Sequence, residues 1–131
     1  MTDEHPNAAR VRRVFDAFVG GDTRALLEVI DEAAVWHVPG TAPVSRTYCG
    51  RKDIFELFRL TRRLTGGTYR SELRWALADD ERAVAVYRAR GTRGERSLDI
   101  EQALLIGLRD GRWTEVTAVA TDPIAFEAFW R

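Results

Sequence analysis

Three segments in the first half of the chain carry apolar residues at the spacing of an amphipathic α-helix. The first covers residues 6–19, and its apolar stripe consists of Val11, Val14, Phe15 and Phe18. The pair Gly20-Gly21 ends it. Asp22 or Thr23 can cap a second, short helix, whose apolar residues are Leu26, Leu27, Val29 and Ile30. The third helix is predicted over residues 52–64, and the pair Gly66-Gly67 ends it.

Most other apolar residues alternate with polar ones, as in half-buried strands. The stretch VWHVPG, residues 35–40, predicts a short strand that a Pro-Gly pair ends, and a loop follows from Pro39 to Gly50. Four further alternating segments cover residues 69–78, 79–91, 97–108 and 112–120. A short apolar segment over residues 122–130 can close over one end. Helices followed by a run of strands predict an α+β domain, with the helices on one face of an antiparallel sheet.

The composition narrows the functional classes. At 131 residues, with 45% apolar and 31% charged side chains, the chain is predicted to form a single domain over residues 1–131. Its 20 basic and 20 acidic residues cancel, so no basic excess indicates nucleic acid. The polar start of the chain, the lone Cys49 and the lack of a membrane-length apolar run predict a cytoplasmic protein without disulfides or membrane contact.

No motif in the sequence indicates a bound cofactor or metal. The chain contains no Gly-rich phosphate loop, no His-x-x-x-His spacing and no Gly-x-Ser-x-Gly turn. One of its two histidines lies in the polar start of the chain. We therefore expect a protein that works without a cofactor and without a metal.

The turn at residues 109–111 decides which residues of the last two strands share a face. If only two residues form the turn, Gln102 lies on the same face as Glu115. If all three form a bulged turn with Gly111 left-handed, Gln102 shares its face with Thr114, Val116, Ala118 and Ala120. We favour the second alternative because it gathers small apolar residues on one side. Gln102 is then the strongly polar group of that stripe, and a buried amide needs partners or a ligand.

The order of these elements resembles the nuclear transport factor two-like superfamily, and within it the SnoaL-like polyketide cyclases and the ketosteroid isomerases. Four strings carry the resemblance: FDAFVGGDTRALLEVIDEAAVWHVPG, TYCGRKDIFELFRLT, LRDGRWTEV and AFEAFW. The resemblance implies a cone-shaped fold, in which a curved antiparallel sheet has three N-terminal helices packed on its concave face. It also implies a homodimer through the outer sheet face. Fold alone does not give function.

His37 occupies the position at which the ketosteroid isomerases keep their general base. A neutral imidazole in an apolar cavity is a competent base near neutral pH, so we expect His37 to move the proton and Gln102 to orient the substrate. The alternative is a structural imidazole that hydrogen-bonds to a loop near Tyr48. The positions of that family's oxyanion donors hold Val14 and Leu104, so steroid isomerase chemistry is not expected.

The expected ligand is a small hydrophobic molecule in a mainly apolar pocket. The side chains assigned to that pocket are Phe15, Phe18, Tyr48, Phe58, Trp75, Leu104 and Val116. For Trp75, and likewise for Tyr87, the alternative is packing on the outer sheet face. Further acid–base candidates are Asp99, Glu101 and Glu115. Salt bridges from Asp99 and Glu101 to Arg88 or Arg90 are the simpler interpretation of these two carboxylates.

Two functions follow from these expectations. The first is a cofactor-independent enzyme that acts on a small hydrophobic, polyketide-like intermediate by general acid/base chemistry, such as cyclisation, isomerisation, dehydration or hydration. The second is a non-catalytic ligand-binding or accessory dimeric domain of the same fold. The missing oxyanion donors, and the lack of a second well-placed acid, favour this second function.

Overall fold

The computed structural model describes residues 4–131, with four helices and six strands in that range. The helices are α1 (Pro6–Gly20), α2 (Thr23–Val29), α3 (Arg51–Leu64) and α4 (Pro123–Trp130). The strands are β1 (Ile30–His37), β2 (Thr47–Cys49), β3 (Arg70–Ala78), β4 (Arg82–Arg93), β5 (Arg96–Arg109) and β6 (Arg112–Ala120). None of the helices in the described range combines the length and the apolar character needed to cross a membrane.

The first two helices are separated where the sequence provides caps. Gly21 has a φ of 71°, and its backbone N–H donates to the carbonyl of Ala17, which ends α1 in the left-handed conformation. The side chain of Asp22 then accepts a hydrogen bond from the N–H of Ala25 at 3.2 Å. This N-cap starts α2 and fixes the short connection between the two helices.

The six strands form one curved, open sheet in the order β2–β1–β6–β5–β4–β3. All neighbouring strands are antiparallel except β1 and β6, which are parallel. The parallel pair arises because α3 carries the chain from one sheet edge to the other, and the meander β3–β6 then returns beside β1. The predicted α+β class is confirmed, with one parallel pair in a sheet predicted to be antiparallel and a fourth helix in the C-terminal apolar segment.

The strand predicted at residues 35–38 is longer than expected and has a partner in the predicted loop. β1 begins at Ile30, directly after α2, and its last residue His37 lies opposite Thr47 of β2. The pattern of β2 could not predict a strand, because three residues show no periodicity of their own and the pairing comes from β1.

The hairpin between β5 and β6 contains the two-residue turn. Asp110 has a φ of 51° and Gly111 a φ of 78°, and the flanking residues Arg109 and Arg112 lie opposite each other. Positive φ at both central residues is the type I′ geometry that suits the twist of a hairpin. The first alternative for residues 109–111 is therefore correct for the turn itself.

A β-bulge just beyond the turn nevertheless produces the pairing of the second alternative. The register shifts by one residue around Thr114, so that Gln102 lies opposite Ala120 and Leu104 opposite Ala118. One extra residue exchanges the two faces of a strand relative to its partner. Gln102 and the small residues of β6 consequently share the inner face, as favoured from the sequence.

The core lies between the inner face of the sheet and the helices. On that face β4 contributes one large side chain, Tyr87, between the small residues Ala83, Ala85 and Ala89. At the other side of the sheet the rings of Trp36 and Trp113 pack at 6.2 Å between centroids. The space between these two regions is not completely filled by side chains, and it forms the cavity described next.

Candidate functional site

A cavity of about 90 Å³ lies between the inner sheet face and helices α1, α3 and α4, and it is partly open to solvent. Its apolar lining consists of Val14, Phe15, Phe18, Trp36, Val38, Val44, Leu57, Phe58, Leu104, Ala118, Phe126 and Trp130. Five polar side chains complete the lining: Thr61, Tyr69, Ser71, Tyr87 and Gln102. The wall is therefore mostly hydrophobic, with a few hydrogen-bonding groups, as is typical of small-molecule sites.

Gln102 provides the buried amide of this lining. Its side chain is 4% exposed, and its Nε2 donates a hydrogen bond to the hydroxyl of Tyr87 at 2.7 Å. Its Oε1 is also buried, but it has no hydrogen-bond partner among residues 4–131. Leaving a buried acceptor unpaired costs about 1–3 kcal/mol. An amide held in this state inside a cavity therefore points to a molecule that supplies the missing donor.

Two phenols lie in the lining, the buried Tyr87 and the partly buried Tyr69. Burial raises the pKa of Tyr87 well above its ordinary value of 10.0, nearby Tyr69 raises it further, and the hydrogen bond from Gln102 lowers it in part. Burial also raises the pKa of Tyr69, against the effect of a hydrogen bond with Ser71. Both phenols are neutral at physiological pH, so they can donate hydrogen bonds but cannot act as bases.

His37 does not enter this cavity, and the expectation that its ring projects inward is wrong. Alternation along β1 places Trp36 and Val38 in the lining and turns His37 to the opposite face. There its Nδ1 lies 3.1 Å from the Oγ1 of Thr47 on β2. The orientation of β1 follows from its large apolar side chains, because burying them removes more apolar surface from water than burying an imidazole would.

The structure brings part of the predicted pocket together. The side chains that do lie in the lining are Gln102, Phe15, Phe18, Phe58 and Leu104. Gln102 and Leu104 come from β5, and the three phenylalanines come from α1 and α3. The predicted helix stripes and the predicted face of β5 therefore meet at one cavity.

Three of the predicted pocket residues lie elsewhere. Tyr48 is buried outside the cavity, and its hydroxyl donates to the carbonyl of Val44 at 2.8 Å, which braces the loop. Trp75 is 46% exposed on the outer face, because a bulge after Leu73 inverts the alternation of β3. Val116 is fully buried in the core on the inner face, but it does not line the cavity.

The three candidate carboxylates are exposed and do not line the cavity. Asp99 accepts two hydrogen bonds from the guanidinium of Arg88, at 2.7 and 2.6 Å, and this pairing lowers the pKa of Asp99. The salt-bridge interpretation of Asp99 is confirmed. For Glu101 that interpretation is wrong: it lies opposite Arg88, but it forms no salt bridge within residues 4–131, because Arg88 pairs with Asp99. Glu101 and Glu115 are exposed side chains at the opposite surface from the cavity. Among the lining residues that the structure describes there is thus no carboxylate and no imidazole.

Tyr69 was not assigned to the pocket, and Tyr87 was left with two alternatives, although the sequence contains a signal for the position of Tyr87. Arg93 and Arg96 lie opposite each other, so Gly94 and the next residue form a two-residue turn between β4 and β5. Counting back from that turn places Tyr87 opposite Gln102. A Gly at a tight turn between two alternating segments is a usable hairpin signal, and it would have placed Tyr87 on the cavity face.

Comparison with known proteins shows the family to which the chain belongs. The profile of the SnoaL-like domain matches residues 11–116. An uncharacterized protein of Mycobacterium tuberculosis, Rv0034, is 31% identical over 131 residues, which cover 99% of each chain.

Solved structures of the same fold are also similar. Bal32a, from a soil-derived mobile gene cassette, superposes with a TM-score of 0.91 at 35% identity, covering 95% of this chain and 96% of that one. IdmH of Streptomyces antibioticus, provisionally assigned as a polyketide cyclase, has a TM-score of 0.76 at 20% identity and covers 95% of this chain and 97% of its own. The resemblance seen in the sequence is confirmed, and the chain belongs to the SnoaL-like domain family.

Proposed function

We propose that this protein binds a small, mainly hydrophobic carbonyl compound in the cavity and promotes its cofactor-independent rearrangement by stabilising the enol. Cyclisation and isomerisation are rearrangements of this type. The observation that carries the proposal is the unpaired, buried Oε1 of Gln102, beside the hydroxyl of Tyr87 in an otherwise apolar lining. Membership of the SnoaL-like family, and the provisional assignment of IdmH as a polyketide cyclase, support the same class of reaction.

An enol fits the Gln102–Tyr87 pair better than the corresponding ketone does. A ketone oxygen only accepts hydrogen bonds, so it can pair with the Tyr87 hydroxyl but leaves Oε1 of Gln102 unpaired. An enol oxygen accepts from Tyr87 and donates its own O–H to Gln102. An additional hydrogen bond favours the enol by about 1 kcal/mol. Contacts that are stronger to the enol than to the ketone lower the barrier to reactions that pass through it.

Enolisation in this cavity needs an external proton acceptor. The C–H bond beside the carbonyl breaks and an O–H bond forms on the oxygen, so the number of protons on the substrate does not change. Because the described lining holds no carboxylate and no imidazole, water admitted through the open side of the cavity takes the proton from carbon and returns one to the oxygen. The side chains of Tyr87 and Gln102 then act on the oxygen only.

The cavity volume limits what can bind without rearrangement. About 90 Å³ is less than the ~150 Å³ of an apolar cavity that accepts benzene. A ligand with one or more rings must therefore extend through the open side or displace a side chain. Phe18 and Phe58 are partly exposed phenylalanine rings of the lining, and they pack edge to face at 4.9 Å between centroids. These two rings are expected to move when a ligand enters.

Naphthalene derivatives test whether the cavity requires a hydrogen-bond donor. 2-Naphthol carries an O–H group, and 2-methoxynaphthalene has the same rings without it. We expect the wild-type protein to bind 2-naphthol about tenfold more tightly in calorimetric titrations. The Gln102→Met variant is expected to lose this preference, because it lacks the acceptor. Equal affinity of the wild-type protein for both compounds would overturn the proposal.

A second candidate function is ligand binding without chemistry. It is favoured by the absence of a carboxylate or an imidazole from the lining within residues 4–131. 2-Tetralone, a ketone whose enol resembles 2-naphthol, distinguishes the two functions. A protein that stabilises the enol accelerates the exchange of hydrogen for deuterium beside the carbonyl in D₂O, followed by NMR, and Gln102→Met abolishes the acceleration. A purely binding protein takes up 2-naphthol and leaves the exchange at its rate in buffer.

We also propose that two copies of the chain associate through the outer sheet face. Strand register places two apolar rows on that face: Trp75, Val86, Ala103 and Val119, and beside them Leu77, Val84 and Leu105. Four of these side chains are between 40% and 67% exposed. Arg88 and Asp99 form an ion pair beside these rows. A second copy in a two-fold arrangement would cover the exposed apolar rows.

A further inference from the structure

We propose that Arg62 binds a negatively charged group of the ligand at the entrance of the cavity, so that the ligand is an amphiphilic anion such as a carboxylate. The oxygen of the ligand that meets Gln102 and the anionic group that meets Arg62 would lie at opposite ends of the molecule. This inference rests on the proposed function, because it assumes that the cavity is the ligand site. It adds the charge and the orientation of the ligand.

The entrance lies where the end of α1, the end of α3 and the start of β3 meet. Phe18 lines the cavity and also two surface depressions outside it, and Arg62 lines both depressions. Tyr69 and Ser71 line the cavity and one of the two depressions. The Cζ of Arg62 lies 5.4 Å from the ring centroid of Phe18. A single aromatic ring therefore separates the guanidinium from the cavity.

The charge in the depression at this entrance is positive, and the nearby carboxylates Asp16 and Glu72 lie in a separate depression that Arg70 also lines. The depression shared by Arg62, Tyr69 and Ser71 is also lined by Arg70, and its lining contains no Asp or Glu. Within residues 4–131 neither Arg62 nor Arg70 has a salt-bridge partner, whereas Arg59, one turn earlier on α3, pairs with Glu56. Unpaired cations beside a low-dielectric cavity raise the local concentration of anions.

The guanidinium of Arg62 can bind a carboxylate while it keeps its present contacts. Its Nη2 donates to the backbone carbonyl of Phe18 at 3.2 Å. An arginine has five N–H donors in a planar fork, which matches the two oxygens of a carboxylate. The contact with Phe18 uses one of these donors, so the others remain for a ligand.

Arg63 provides a matched control for Arg62. Both are exposed arginines in the last turn of α3, where a cation interacts favourably with the negative end of the helix dipole. Arg63 lines neither the cavity nor the two depressions. Replacing either arginine by glutamine changes the net charge and the helix end in the same way, but only Arg62→Gln removes the cation at the entrance.

Two probes with the same rings separate the anion from the rest of the ligand. 6-Hydroxy-2-naphthoate carries a hydroxyl and a carboxylate at opposite ends, and 2-naphthol lacks the carboxylate. We expect Arg62→Gln to weaken the binding of 6-hydroxy-2-naphthoate about fivefold, the effect of one exposed ion pair, and to leave 2-naphthol unchanged. Arg63→Gln is expected to change neither affinity. Added NaCl should weaken the binding of 6-hydroxy-2-naphthoate to the wild-type protein but not that of 2-naphthol.

The outcomes are distinguishable from a failure of the proposed function. Equal losses for both probes in Arg62→Gln, or equal losses of 6-hydroxy-2-naphthoate in Arg62→Gln and Arg63→Gln, would overturn the role of Arg62. Arg62→Lys keeps the charge and is expected to recover most of the affinity, and the salt dependence needs no variant at all. If 2-naphthol binds and neither salt nor Arg62→Gln affects 6-hydroxy-2-naphthoate, this inference alone is wrong. If the wild-type protein binds neither probe, the proposed function is wrong as well.

Discussion

Gln102 and Tyr87 lie directly opposite each other on β5 and β4, and their side chains form one hydrogen bond of 2.7 Å. The bond satisfies the Nε2 of the amide and leaves its Oε1 without a partner in the described part of the chain. The two residues therefore differ in what their removal does. Loss of Tyr87 leaves the Gln102 amide with a second unpaired group, whereas loss of Gln102 removes the unpaired Oε1 and leaves the Tyr87 hydroxyl without a partner in its place.

This asymmetry predicts effects of different size for two conservative substitutions on stability. Tyr87→Phe is expected to lower the free energy of unfolding by about 1–3 kcal/mol, because the Gln102 amide then has no partner. Gln102→Met keeps the approximate shape, removes the unpaired Oε1 and leaves the Tyr87 hydroxyl unpaired instead, so the free energy of unfolding is expected to stay about the same. Urea unfolding of both variants measures the difference. If Gln102→Met is destabilised as strongly as Tyr87→Phe, the Oε1 has a partner in the native protein, and the argument from an unpaired acceptor fails.

The position of His37 predicts that its ring has no part in the cavity chemistry. His37→Gln is expected to leave both the affinity for 2-naphthol and the deuterium exchange of 2-tetralone unchanged. Val38, the next residue on β1, lines the cavity and serves as the comparison. Val38→Ala enlarges a cavity that is smaller than a ring requires, so it is expected to bind 2-naphthol more tightly. Titration calorimetry and NMR measure these effects, and a marked loss of exchange activity in His37→Gln would contradict the assignment.

The sequence predicted which elements form, but bulges decided which faces of two strands point inward. Tyr69, Ser71, Leu73, Trp75 and Leu77 alternate as one row, yet the bulge after Leu73 leaves Trp75 and Leu77 exposed on the outer face. A bulge adds one residue without a strong pattern of its own, and every later side chain changes face. The bulge at Thr114 instead made a prediction correct. It places Gln102 on the same face as the small residues of β6, which a three-residue turn was predicted to do.

The error for His37 has another origin. The alternation correctly indicated that Trp36 and Val38 share a face, and that His37 lies on the other one. The choice of the inner face came from the resemblance to enzymes that keep a base at this position. The physical preference of β1 is to bury its tryptophan and valine, and the packing of Trp36 against Trp113 and Phe58 satisfies that preference. The role assigned to His37 from the resemblance therefore conflicted with the pattern of apolar residues in β1 itself.

The raised pKa values of the two phenols predict a loss of stability in alkali. An unfolded tyrosine ionises near its ordinary pKa of 10.0, whereas folded Tyr87 and Tyr69 ionise only at higher pH. Above pH 10.0 the folded state thus holds more protons than the unfolded state, so the free energy of unfolding falls as the pH rises. Tyr87→Phe is expected to show a shallower fall, measured by urea unfolding at a series of alkaline pH values. An identical slope in the wild-type protein and in Tyr87→Phe would show that Tyr87 ionises normally.

If two copies of the chain associate through the outer sheet face, a single charged substitution on that face is expected to dissociate the dimer. Leu105 is 48% exposed on that face, and in a two-fold arrangement Leu105→Asp places like charges close together at the interface. Ile124 on α4 is 83% exposed and lies outside the two apolar rows, so Ile124→Asp is the matched control. Sedimentation equilibrium is expected to show a dimer for the wild-type protein and Ile124→Asp, and a monomer for Leu105→Asp. A monomeric wild-type protein would remove the dimer proposal and leave the cavity proposals unaffected, because the cavity described here is lined by one copy of the chain.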